Sequence, residues 1–286
     1  MKHKFRQTTA ALAAVALFVV SVTLALCLTF CGGGNRSGAG SEGGGEDKKP
    51  PKNDGSITTS ADYTYKTDIS AVADALNTTD EVYLLLANKT YLIGGDYIPQ
   101  NLVSLDTSLT GGKDISLAGN AARAAEALIV EMRAHGFDGV FITSAYRSYD
   151  YQASLYNKYF NNEKAAHPNW TDEEIKAQVL TYSAYPGTSE HQTGLCVDLM
   201  TDEMSGLWNY GDETPDNPYD KGFAETAEFK WLKANAHKFG FVLRYPEDKT
   251  NITGYAYESW HYRFVGIDAA TEIYTQGITL EEYLGK

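Results

Sequence analysis

Two polar segments about sixty residues apart constrain this chain more than anything else in it: Ser189-Glu190-His191-Gln192-Thr193-Gly194-Leu195-Cys196-Val197-Asp198, and Glu258-Ser259-Trp260-His261. Between them they hold two imidazoles and two carboxylates. A catalytic zinc ion takes three nitrogen or oxygen ligands from the protein and leaves one position open. His191, Asp198 and His261 are the candidate ligands, and Glu258 is the carboxylate kept back for proton transfer. If they form one site, the fold must bring both segments together, and the chemistry they point to is metal-assisted amide hydrolysis.

Spacing alone is weak evidence, since a His followed seven residues later by an Asp arises by chance. For His135, His167 and His237 the reading is a hydrogen-bonded structural or surface residue. The set of four differs. Gly194 sits where the backbone must turn between two ligands, and Leu195-Cys196-Val197 and Tyr255-Ala256-Tyr257 read as buried strands. Asp198 then closes an apolar strand, where a carboxylate is costly unless a cation pairs with it. Since Glu258 and His261 are three apart, an ideal strand would point them to opposite faces. A bulge or turn near Ser259 is therefore expected.

These segments resemble the SxHxxGxxxD and ExWH motifs of the VanY-type D-alanyl-D-alanine carboxypeptidases and the related L,D-carboxypeptidases of peptidoglycan. Thr143 to Gln152 is similar to the family's (S/G)YRSxxxQ segment, and Tyr185 to Gly194 to its PGxSEHQTG segment. Gly240 to Pro246 and Thr253 to Glu258 fit the approach to ExWH, and Leu84 to Pro99 resembles an entry strand and loop. The similarity spans about residues 83 to 284 in order. It implies one zinc ion held by His191, Asp198 and His261, with Glu258 as general base and acid. It further implies that Arg147 steadies the substrate carbonyl as it becomes an oxyanion, and that Gln152 and Ser189 help to hold the peptide terminus. Arginine suits that task, with permanent charge and a planar fork of donors. A surface ion pair is the bland alternative for Arg147, countered by its place after the apolar run Val140-Phe141-Ile142.

Two positions depart from the family pattern. Cys196 stands where alanine is frequent, on the same strand face as Asp198. It reads as a buried thiol or, alternatively, as a soft ligand competing for the metal. Ser259 replaces a usual proline, which loosens the turn without removing chemistry.

Lys2, Lys4 and Arg6 precede Thr8 to Cys31, an uncharged run rich in Ala, Val and Leu. Residues 1–31 read as a membrane anchor or signal segment, with the positive flank in the cytoplasm and the bulk of the protein extracytoplasmic. Cys27 and Cys31 hint at lipidation, although Leu26 and Phe30 are large for the position before a lipidated cysteine. Residues 32–60 are Gly, Ser, Lys, Pro, Glu and Asp, too polar to bury a core, and read as a flexible tether with a reach on the order of 30 Å.

Residues 61–286 form one domain's worth of sequence. Cys196 is the only cysteine there, so no disulfide can form within it. The chain carries a formal net charge of −13, and loss of the three basic N-terminal residues would make it more negative, which argues against a nucleic-acid partner. The expected partners are peptidoglycan stem peptides and, through the N-terminal segment, the membrane. The tyrosines clustered between Tyr146 and Tyr185 suit either a glycan- or peptide-binding groove or ordinary packing.

Periodicity predicts helices over 116–135, 149–161, 171–182 and 224–239, the third opened by Thr171 and Glu174 as a capping box. Strands are predicted over 138–144, 194–200, 241–245 and 256–265. This order suggests an α+β fold with an antiparallel central sheet flanked by helices and the zinc site at strand ends. Two function classes follow: a zinc carboxypeptidase, or a related endopeptidase, acting on stem peptides by D,D or L,D cleavage, and a non-catalytic peptidoglycan-binding module. Retention of both Glu258 and Arg147 favours the enzyme, because binding alone needs no proton shuttle.

Overall fold

The computed structural model describes residues 63–205 and 218–286. The expected anchor and tether lie outside the described residues, and no helix among the described residues is long and apolar enough to cross a membrane.

The framework is a four-stranded antiparallel sheet ordered β3-β4-β6-β5, where β3 is Val140–Ser144, β4 Cys196–Thr201, β5 Phe241–Tyr245 and β6 Glu258–Phe264. A separate pair, β1 (Leu102–Ser104) and β2 (Ser116–Ala118), lies ahead of it in the chain. The α+β class and the antiparallel sheet are as expected.

One face of the sheet rests on the helix Gly119–Ala134. Its stripe of Ala121, Ala124, Ala125, Leu128, Ile129 and Met132 is buried in the cluster that also holds Val140, Ile142, Val197, Leu199, Tyr262 and Phe264. A smaller cluster joins Val242 and Val265 to Ala270 and Ile273 of the helix Ile267–Gln276. Strand residues that alternate between the two clusters, such as Phe241 and Val242, follow the period-two pleat.

Several elements depart from the sequence expectation. The first long helix starts at Gly119 rather than 116, because Ser116–Ala118 is drawn into the ladder with β1. The helix expected over 224–239 is broken: Thr226 accepts the Phe229 N–H at 3.1 Å and starts a new helix, Ala227–Asn235, after Pro218–Glu225. A hydroxyl that can satisfy an orphan N–H makes such a restart cheap. A 3-10 turn, Ala236–Phe239, then ends at Gly240, whose φ of +76° and closeness to the Phe264 ring leave no room for a side chain. Finally, Tyr255 to Tyr257 is not a strand but an approach loop to β6.

The helix from 149 runs further than expected, Tyr149–Ala166, capped by the Ser148 hydroxyl. The helix Asp172–Tyr182 carries the capping box of Thr171 and Glu174. These two helices bury Tyr156, Tyr159, Ile175 and Val179 between them, so Tyr156 and Tyr159 serve packing, while Tyr151 and Tyr185 are exposed.

Candidate metal centre

The centre is built on the pairing of β4 with β6. Asp198 stands directly opposite His261, and Cys196 opposite Arg263. Glu258 opens β6, at a strand end as expected, while Asp198 and His261 sit inside the ladder. His191 comes from a 3-10 turn, Glu190–Thr193, rather than from a strand. That turn ends at Gly194 in the left-handed region (φ +66°), where an added Cβ would meet Pro99 at 3.0 Å. Glycine alone therefore lets the chain reverse between His191 and β4.

His191, Asp198 and His261 are buried and converge. Asp198 Oδ2 lies 3.2 Å from His191 Nε2, and Asp198 Oδ1 lies 2.9 Å from His261 Nδ1. Glu258 is partly exposed, and its Oε2 is 3.6 Å from His261 Nδ1. The sequence expectation that a bulge must bring Glu258 and His261 together is met. Leu243 pairs with Tyr262 and Tyr245 with Glu258, so three residues of β6 face the single Arg244 of β5. Ser259 is buried within this irregular stretch. A second irregularity in β3 leaves Thr143 out of register, with its hydroxyl donating to the Asp198 carbonyl at 3.2 Å.

The hydrogen bonds on the far side of each ring define the tautomers. His191 Nδ1 lies 2.6 Å from the Ala145 carbonyl, which can only accept, so Nδ1 carries a proton and Nε2 is the nitrogen that faces Asp198. His261 Nε2 lies 3.1 Å from Glu190 Oε2, so its proton points away and Nδ1 faces the centre. Both rings present a donor atom, one carboxylate lies between them, and one further carboxylate stands beside. This donor chemistry fits a zinc ion.

The electrostatics agree. Burial disfavours a charged Asp198, but His191 and His261 outweigh it and hold the carboxyl well below the usual range. Burial likewise opposes protonation of His191, yet Asp198 raises it to about 9, while Arg147 pulls the other way. Buried anionic donors thus gather where positive charge is required.

Glu190, Arg244, Arg263 and Glu281 form a layer that sequence reasoning missed. Glu190 Oε1 accepts from Arg244 Nε at 2.8 Å and from Arg263 Nη1 at 2.7 Å. Arg244 also reaches Glu281 through two bonds of 2.8 and 2.6 Å, and Asn88 donates to Glu281 at 2.9 Å. All four charged groups are buried, two of each sign. Burial alone would raise Glu190, but the two guanidinium groups hold it far below a normal carboxylate. A signal existed: Arg244 and Arg263 each interrupt an apolar strand, which a charge does only when paired.

Arg147 lies near the centre. Its N–H donates to the His191 carbonyl at 3.1 Å, and its Nη1 donates to Gln152 Oε1 at 2.9 Å. Gln152 is buried and donates in turn to the Ala184 carbonyl at 2.7 Å, so it orients Arg147 and ties down the loop that leads into His191. Ser189, buried, immediately precedes the turn. The other histidines among the described residues lie elsewhere: His135 bonds Glu131, His167 stacks on Trp170 and His237 stacks on Tyr274.

Comparison with known proteins gives a consistent answer. Residues 114–267 match the family profile VanY, D-alanyl-D-alanine carboxypeptidase. A D-alanyl-D-alanine carboxypeptidase of Enterococcus faecalis is 43% identical over 149 residues, covering 51% of this chain and 48% of that protein, so the chain spans about half of that relative's length. Among solved structures, the vancomycin-resistance D,D-pentapeptidase VanY from a VanB-type cassette, in complex with Zn(II), is 35% identical with a TM-score of 0.55, covering 71% of this chain and 99% of its own. The LD-carboxypeptidase LdcB is also 35% identical, with a TM-score of 0.57, covering 71% of this chain and 86% of its own.

Proposed function

The chain belongs to the VanY D-alanyl-D-alanine carboxypeptidase family, and from that premise we propose that it is a zinc-dependent carboxypeptidase removing the terminal D-alanine from peptidoglycan stem peptides. The observation that carries this reading is the convergence of His191, Asp198 and His261 with Glu258 beside them and Arg147 tied to the His191 backbone. In this reading the three convergent residues hold the ion.

A bound zinc ion supplies a Lewis acid that polarises the scissile carbonyl and activates water. The chain's own residues do the rest. Glu258 accepts the proton of the attacking water and delivers it to the nitrogen of the departing D-alanine. Arg147, held by Gln152, donates to the carbonyl oxygen as negative charge develops on it. Ser189 is assigned to the peptide terminus. The Ala145 carbonyl and Glu190 keep the imidazoles oriented while charge moves.

The N-terminal segment is proposed to anchor the protein to the cell membrane, by a single span or a lipid, with residues 61–286 on the extracytoplasmic side where stem peptides are found. Mass spectrometry of the membrane-extracted protein would reveal a cleaved or lipidated terminus.

The function is tested by mass spectrometry of a mixed tetrapeptide and pentapeptide muropeptide pool incubated with the protein and zinc, beside a chelated control. Zinc-dependent loss of one alanine is expected. Shortening of the pentapeptide marks D,D cleavage, and shortening of the tetrapeptide marks L,D cleavage. An unchanged pool sinks the carboxypeptidase reading and favours a binding module.

A further inference from the structure

Cys196 is fully buried, and no disulfide engages it. It lies two residues before Asp198 on β4, so both side chains leave the same face of the strand. One donor atom each from His191, Cys196 and His261 lies within 4.8 Å of the others. Asp198 touches the same two imidazoles at 3.2 and 2.9 Å. The centre therefore contains two overlapping donor sets that share their histidines, one completed by a hard carboxylate and the other by a soft sulfur.

We propose that Cys196 is a metal ligand for soft divalent cations, of which cadmium is the type, so that this centre takes up thiophilic metals through His191, Cys196 and His261. The proposal rests on the metal-centre reading above and extends it. Thiolate is preferred by soft cations and carboxylate by hard ones, so an ion's softness determines which donor set it uses. On coordination the thiol passes its proton to solvent and the sulfur lone pair forms the new bond. A zinc site with three protein ligands stays open for chemistry, whereas one with four is closed. When both Cys196 and Asp198 bind one ion, the protein fills the position that water and substrate need.

The test uses the full chain, stripped of metal by a chelator and titrated with cadmium or cobalt(II), beside Cys196→Ala and Cys196→Ser. Cys27 and Cys31 are unchanged in all three proteins, so the difference spectra isolate Cys196. A thiolate-to-metal charge-transfer band that saturates with one equivalent in the parent and is missing from both variants is the expected result. Competition between ions should show the cadmium-to-zinc affinity ratio falling by tenfold to a hundredfold in Cys196→Ala, on the order seen when a group supporting a metal site is lost. One equivalent of metal bound with no Cys196-dependent band overturns the proposal and leaves the zinc reading standing. If neither ion binds to the parent more tightly than to His261→Ala, both readings fall.

Discussion

Glu258 and His261 meet at 3.6 Å although they are three residues apart on one strand, because β6 places Ser259, Trp260 and His261 opposite the single Arg244 of β5. The irregularity turns side chains that would diverge on a regular strand toward one point. In the proposed function the partly exposed carboxylate serves chemistry while the buried imidazole holds the ion.

Glu258→Gln should therefore separate the two roles. Metal content stays at the parental level, and the rate of alanine release falls by about 10²- to 10⁴-fold, the range for loss of a general acid–base group. Elemental analysis and a turnover assay on the same preparation check both parts. A variant nearly as active as the parent would remove Glu258 from the base role.

Glu190→Gln tests the layer behind His261. The amide keeps the volume but loses the charge that faces Arg244 and Arg263. Zinc affinity should drop about 10- to 100-fold, as for other lost partners of ligating histidines. Stability should fall as well, by roughly 3–5 kcal/mol, because buried guanidinium charge is left uncompensated. Zinc titration and denaturant unfolding of the metal-free protein read the two effects separately, and a variant unchanged in zinc affinity would confine Glu190 to a structural role.

Arg147→Lys preserves the charge and removes the fork that engages Gln152. The expected loss is in kcat, by about 10²- to 10³-fold, the size seen for a single donor to a developing oxyanion. Zinc affinity should stay within a small factor of the parent. A change confined to KM would instead place Arg147 in ground-state binding.

His237 supplies a pH prediction away from the centre. Burial, with Lys238 adding to it, lowers its imidazole to about 4, and the ring stacks on Tyr274 at 3.8 Å. In the unfolded chain its value returns to about 6.5. Between these values the unfolded state binds a proton that the fold refuses, so stability falls as pH drops from about 6.5 to about 4. His237→Phe, which keeps a ring against Tyr274, should lose this part of the dependence. Unfolding midpoints of parent and variant across that window should move apart in the variant's favour as pH falls; parallel curves would refute the assignment.

Much of the fold was legible in local pattern. The apolar stripe before Gly136, the capping box at Thr171 and the strand over 241–245 all stand where the sequence places them, because each depends on neighbours within a turn or two. The breaks at Thr226 and at Ser116–Ala118 were not legible. A cap and a short ladder each compete with helix at small cost, and β1, which draws Ser116–Ala118 away, is itself only three residues long.

What the sequence by itself determined is the donor inventory and the need for Ser189 to Asp198 to meet Glu258 to His261, since ligand chemistry belongs to the side chain wherever it sits. Which nitrogen of each imidazole faces the centre was decided by tertiary structure alone. That choice depends on the Ala145 carbonyl behind His191 and on Glu190 behind His261, and Glu190 in turn is held by Arg244 and Arg263. A tautomer is set by the partner of the opposite nitrogen, and these partners become neighbours only when the sheet has its register.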